Sequence, residues 1–561
     1  MHSLKTSWKL LTNIRPILPS NLILARSHIS LRTKSTLAPT QFSAKHFNSK
    51  FRMDSAQVTE IQPTVTALPS DTEKQEVKPK KITGKRKRSQ RKLKKDLDDV
   101  LRYDIDNVRK SYWEKLDDKT KDTNEEERQN PFEHLQEIEL VIRELAASGE
   151  GMGIIEDNGW VVLVPFVLPG EKIRARVYRS CWGYSFADLV EVLTPSPERI
   201  SAPCKYFGTC SGCQFQHLTY EKQKEFKKNV VINAFKNFAP NVKSLTVNDV
   251  VGSPMEFGYR TKLTPHFQKP KSTLEKVEIG FAIQGRRQIL DIEDCMIGTP
   301  SIQKGYGVMR DYVFENKDTY KRGATLLIRE TNIPQENKDE NGEVIYEKGY
   351  ITDHKKIVTE MVEKHRFDFP AGSFFQNNAS ILPLLINYAA EHLQATEEDK
   401  SKIKYMVDAY CGSGLFAISC HAKFDKVLGV EISRDSVNYA KQNVELNNIN
   451  NCEFIVGDAE EIFKEVKFDG NESAMVIDPP RKGCSDSFLD QLLKFAPARV
   501  VYVSCNVQTQ ARDLAYIHKK ASESTAENPL PDYDVVDITP FDLFPQTKHI
   551  ESVMTLVKRV L

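Results

Sequence analysis

The stretch Lys404-Tyr405-Met406-Val407-Asp408-Ala409-Tyr410-Cys411-Gly412-Ser413-Gly414 decides the fold of this chain. A short apolar run reads as a buried strand, and the two glycines that follow let the backbone turn tightly and approach a ligand before LFAISCHA starts a helix. Downstream the alternation repeats: KVLGVE to Glu431, SVNYAKQNVELNN, CEFIVGD to Asp458, AMVIDPP from Ala474, FLDQLLKFA, and RVVYVSCN to Asn506. Apolar runs alternating with amphipathic segments predict an α/β, Rossmann-like doubly wound sheet over residues 371–561. Its ligand is expected beyond the carboxyl ends of the strands.

Glu431 stands seventeen residues after Gly414, where a carboxylate accepts both hydroxyls of a ribose. The loop is DxxCGSG rather than GxGxxG, which suits S-adenosylmethionine better than NAD, because the methyl donor has no pyrophosphate for a helix start to cradle. A generic dinucleotide fold is the alternative. Asp458 is expected to face the adenine. The turn Asp478-Pro479-Pro480-Arg481 is like that of amino-methyltransferases, but those put an aromatic residue where Arg481 stands, which points away from amine methylation.

Cys505 is presented at a strand end, whereas Cys411, Cys420 and Cys452 read as core. A nucleophile is required if the methyl acceptor is an aromatic carbon. Uracil C5 becomes nucleophilic only after a thiolate adds to C6, and a base must then take the C5 proton. The segment FPQTKHIE offers Glu551 as that base.

Upstream, Cys204-x5-Cys210-x2-Cys213 and the distant Cys295 have the ligand types and spacing for a [4Fe–4S] cluster, with soft sulfur donors and small residues Ser211 and Gly212 between them. Zinc is the rival, although its structural sites more often show paired knuckles, and four ordinary thiols are the third reading. Before them, residues 134–198 contain short alternating strands and the glycines Gly149, Gly151 and Gly153, the pattern of a small OB-like β-barrel, commonly RNA-binding. A barrel that only packs on its neighbour is the alternative. A central mixed α/β domain is expected over 199–370, with a helix near 220–239 packed on the catalytic domain. Within it, 332–348 looks like an inserted surface hairpin turning at Asn341-Gly342, read as a length-variable loop.

With 561 residues the chain has room for several domains. Lys+Arg 79 against Asp+Glu 77 leaves a net charge of +2, so the placement of charge matters more than its sum. Residues 1–53 hold nine Lys or Arg and no acid, the composition of a mitochondrial transit segment or a basic tail; a start at Met53 would remove it. Residues 54–130 read as a disordered basic and acidic linker in which eleven of the eighteen positions Lys78–Lys95 are Lys or Arg, suited to nuclear localisation, to phosphate contact, or to a solvated spacer. Mitochondrion, nucleus and cytoplasm are therefore the expected locations. The longest apolar stretch, Val161–Leu168, is too short to span a bilayer, so no membrane role is expected. Ten cysteines are too few for a secreted disulfide scaffold.

Together FFQNN at Phe374–Asn378, DAYCGSG, GVE, DPPRKG, VSCN and the final HxE resemble the RNA uracil-C5 methyltransferase family across about residues 137–561. The resemblance implies a TRAM-type barrel, Cys505 as nucleophile, Glu551 as proton-abstracting base, and Gln376, Tyr410, Glu431, Asp458 and Asp478 as cofactor contacts. It also implies Cys204, Cys210, Cys213 and Cys295 as the ligands of the cluster-bearing branch. The substrate it implies is a uridine flipped out of folded RNA: the T-loop uridine of tRNA for a eukaryotic member, with ribosomal RNA, that of mitochondria included, as the alternative. An RNA-folding chaperone without essential catalysis is a further reading, and no obligate protein partner is implied. Cytosine-C5 methyltransferases place a second cysteine after their proline, which DPPR lacks. Leu415 departs from the pattern, since bacterial relatives usually carry a cofactor-contacting Asn there, and the long basic N-terminal region is absent from them.

Overall fold

The carboxyl-terminal sheet has seven strands: β1 (Tyr405–Ala409), β2 (Lys426–Glu431), β3 (Cys452–Val456), β4 (Ser473–Ile477), β5 (Arg499–Ser504), β6 (Tyr533–Phe541) and β7 (Glu551–Lys558). They lie in the order β3-β2-β1-β4-β5-β7-β6. The first five are parallel, and β7 inserts antiparallel between β5 and β6. Every residue of β4 and β5 is buried, because both faces of the sheet are covered. Alternate residues serve different cores: Met406, Val476, Val501 and Val503 face one, and Val407, Met475, Ile477 and Tyr502 the other. The expected doubly wound domain is therefore present, and its loops collect at the carboxyl edge.

This computed structural model describes residues 66–67, 99–115, 130–242, 245–269, 277–457, 463, 466–527 and 529–559. The transit-like segment, the Lys78–Lys95 run and Asp458 lie outside the described residues.

Five strands, Glu137–Leu145, Gly151–Ile155, Trp160–Val164, Lys172–Ser180 and Tyr184–Thr194, close the expected barrel. Gly153 is required there: a Cβ would stand 2.2 Å from Leu140 Cδ1. Within 54–130, read from composition as an unstructured linker, Asp99–Lys115 is a 17-residue helix, α1. Its Ile105 and Val108 are buried with Ile154, Val161 and Leu163 of the barrel. Arg109 donates to Gly159 O (3.0 Å) and Gly183 O (2.6 Å).

The middle of the chain supplies four strands of a five-stranded sheet, whose fifth, Thr66–Ala67, comes from the segment 54–130 and pairs with Ala324 and Thr325; with it stand the helix Pro300–Asn316 and two hairpins, Ile328–Lys338 with Val344–Ile351 and Ile357–Val362 with His365–Pro370. The 332–348 segment is thus a hairpin, but its first strand starts inside the core, where Arg329, Glu330, Thr331 and Asn332 are buried. Helix α2 (Tyr220–Phe238), capped by Thr219, packs Val230, Val231, Ala234 and Phe235 into the carboxyl-terminal core, beside α3 (Val507–Ser522). Among the described residues no helix is long and apolar enough to cross a membrane.

Candidate active site

The loop after β1 is built on left-handed backbone: Tyr410 has φ 65°, Gly412 φ 55° and Gly414 φ 94°. A Cβ on Gly414 would stand 2.9 Å from Ile418 Cδ1, whereas one on Gly412 would meet nothing within 4 Å. Gly414 is therefore needed for packing, and Gly412 leaves open space. Glu431 at the end of β2 ties this loop down, accepting from Gly412 N (3.2 Å) through Oε2 and from Ser433 N (2.8 Å) through Oε1. Leu415 opens the following short helix and is buried.

Tyr410, Glu431, Asp478, Cys505, Glu551 and Gln376 all line one cavity of about 960 Å³. Gln376 comes from a loop fixed on both sides, with Thr261 N donating to Asn377 O (2.9 Å) and Asn378 Nδ2 donating to Leu543 O (3.2 Å). Asp478 follows β4. Cys505 follows β5, and Glu551 begins β7. The β5–β7 register pairs Ser504 with Ser552, so the next step of the ladder sets Cys505 beside Glu551.

The electrostatics of this edge are those of crowded acids. Burial pushes Asp478 up to about 7. Burial, with Asp478 adding to it, holds Glu551 well above the usual carboxylate range, and Arg481 opposes the shift. Within β1, Asp408 is raised to about 8 by burial, with Asp478 and Glu431 contributing, although Ala417 N donates to its Oδ2 (2.8 Å). The Cys505 thiol is pushed up to about 11, first by burial and then by Glu551 and Asp478, with Arg481 working the other way. Crowded acids held protonated by burial and mutual repulsion regain their charge most readily beside a cation. The residues present therefore fit the sulfonium group of S-adenosylmethionine.

Arg481, which lines the cavity, is a site residue that the sequence reading left without a role. Arg481 is held in place by α3 and its capping residue Asn506: the Arg481 carbonyl accepts from Asn506 Nδ2 (2.8 Å), while Arg512 donates to Lys482 O (3.0 Å) and Asp513 accepts from Cys484 N (2.8 Å). Gly483 (φ 77°) permits this packing, since a Cβ there would stand 2.6 Å from Arg512 Nη2.

Cys204, Cys210, Cys213 and Cys295 line the same cavity. Burial pushes the thiols of Cys213 and Cys295 up to about 12, with others of the four adding to it. Gly212 N donates to Cys210 Sγ (3.4 Å). Among the described residues no three His, Cys, Asp or Glu side chains form a group able to hold a metal ion.

Residues 324–559 match the family model described as tRNA (Uracil-5-)-methyltransferase. The chain is 45% identical over 437 residues to a protein of Schizosaccharomyces pombe named tRNA (uracil(54)-C(5))-methyltransferase, covering 77% of this chain and 80% of that one. It is 38% identical over 481 residues to the Saccharomyces cerevisiae protein of the same name, covering 76% and 74%. Among solved structures it resembles the Pyrococcus abyssi tRNA (uracil-54, C5)-methyltransferase in complex with S-adenosyl-L-homocysteine, with a TM-score of 0.53 at 23% identity over 75% of this chain and 100% of that one. At that identity the likeness shows the fold.

Proposed function

Because this chain belongs to the tRNA (uracil-5-)-methyltransferase family, we propose that it methylates C5 of uridine 54, the position in its relatives' names, through a covalent bond between Cys505 and C6. It is an S-adenosylmethionine-dependent methyltransferase. The observation that carries the covalent reading is the pairing of β5 with β7, which sets a thiol beside a buried carboxylate next to the glycine loop of β1.

The uridine must leave its stack to enter the cavity. The Cys505 thiolate adds to C6, and the electron pair of the C5–C6 bond moves toward the ring carbonyl as an enolate. S-adenosylmethionine supplies an electrophilic methyl group, to which C5 bonds as S-adenosylhomocysteine departs. The Glu551 carboxylate then takes the C5 proton, and the C6–sulfur bond breaks to return the Cys505 thiolate. Burial, which raises the affinity of Glu551 for a proton, makes it a stronger base once ionised. Gln376, Tyr410, Glu431 and Asp478 hold the cofactor; Asp458 is the further contact that the family resemblance implies. Arg481, the cation beside both reacting groups, favours their ionised forms.

The substrate reading is tested by mapping 5-methyluridine in RNA from cells lacking the protein. Loss at position 54 of tRNA, restored by the intact chain, is expected; loss confined to ribosomal RNA would overturn it.

We also propose that the four-cysteine set holds a [4Fe–4S] cluster in a structural role. The four thiols are not gathered here into a group able to hold a metal ion; support for the reading comes from their lining one cavity and from a backbone N–H donating to Cys210 Sγ, the kind of bond that tunes cluster sulfurs. Anaerobically purified protein should contain about four irons per chain, lost in Cys210→Ser; zinc in place of iron would contradict this.

A further inference from the structure

Glu551 closes the hairpin loop 542–550 that joins β6 to β7, pairing with Phe541. The side chain is 1% exposed and its Oε1 has no hydrogen-bond partner among the described residues. Its position is therefore set chiefly by the backbone that carries it, and the grip on that backbone comes from α2. Gln223 and Lys227, four residues apart and so on one face of the helix, are both fully buried.

Gln223 and Gln546 bond reciprocally: Gln223 Nε2 donates to Gln546 Oε1 (2.9 Å), and Gln546 N donates to Gln223 Oε1 (3.0 Å). Lys227 Nζ donates to Asp542 Oδ1 (2.6 Å) and to Phe544 O (3.1 Å), and the same Asp542 oxygen accepts from Phe544 N (3.1 Å). The segment entering α2 adds Gln214 N and Phe215 N, which donate to Gln546 O at 2.9 and 3.0 Å. Gln546 has φ 70°, a conformation costly for a residue with a Cβ that persists where its surroundings over-determine it. Its N–H, its carbonyl and its side chain are all engaged here.

A buried ion pair gives little net stability over an apolar pair of the same volume, because desolvation offsets the attraction. What a fully satisfied polar network adds is one defined geometry. We propose that Gln223 and Lys227 of α2 are positioning residues for proton abstraction, holding the 542–550 loop so that Glu551 meets the C5 proton of the adduct. This rests on the assignment of Glu551 as the base.

The test uses the full chain with tRNA and S-adenosylmethionine, and compares Gln223→Leu and the double variant Lys227→Met with Asp542→Asn against Glu551→Gln. The double change leaves no uncompensated buried charge, and the asparagine oxygen can still accept from Phe544 N. Three quantities are followed: melting temperature, single-turnover methyl transfer and release of methylated tRNA from the covalent adduct. Methyl transfer should stay within about twofold of the intact protein while release slows by roughly 10- to 100-fold, the effect of misplacing a reacting group by about 1 Å. Release at the intact rate would overturn the proposal. So would methyl transfer and release falling together with melting temperature, the mark of a scaffold contact. If the double variant does not fold, Gln223→Leu, which removes no charge, decides. If Glu551→Gln itself accumulates no adduct, the base assignment has failed and the proposal falls with it.

Discussion

Cys505, the proposed nucleophile, has a thiol that burial pushes up to about 11. At neutral pH it is almost wholly protonated, and only the thiolate reacts. Alkylation of Cys505 by iodoacetamide, followed peptide by peptide, should therefore rise roughly tenfold per pH unit from pH 7 to 10 without levelling. Arg481→Met removes the cation that opposes the shift, so the rate at pH 8 should fall further. A plateau near pH 8 would show that the thiol is not held up by its surroundings. Cys505 was legible in the sequence because VSCN ends a buried strand and leaves its cysteine at the carboxyl edge. Arg481 stands in view in DPPRKG, but its role depends on Asn506, which caps α3, and on Arg512 and Asp513 of α3 anchoring that loop, and motif spacing does not report such contacts.

At the scale of elements, what a strand fixes by itself could be read and what distant pairing fixes could not. The ends of β1, β2, β4 and β5 carry Tyr410, Glu431, Asp478 and Cys505, and a parallel sheet must bring them to one edge. The insertion of β7 between β5 and β6 is non-local, so the place of Glu551 beside Cys505 came from family resemblance rather than pattern. Helix α1 was missed because its charge outweighed a regular signal: Leu101, Ile105, Val108 and Tyr112 recur at helical spacing, and they pack against the barrel core. The left-handed Gln546 had no signature, since nothing in FPQTKH marks its middle residue for positive φ.

Over the whole molecule, the central region and the carboxyl-terminal sheet meet through α2, and a single cavity runs from the cysteine loop to the glycine loop of β1. On the proposed reading, the four carboxyls beside that loop and the thiol among them serve the cofactor's sulfonium and covalent chemistry. The most direct test of that account is to incubate the Glu551→Gln protein with unmodified tRNA and S-adenosylmethionine and to identify the bonded peptide by mass spectrometry. Addition and methyl transfer should proceed while release stalls, so a methylated uridine should accumulate on Cys505, and Cys505→Ala should form neither adduct nor product. Methylated tRNA released at the intact rate with no adduct on Cys505 would contradict the account.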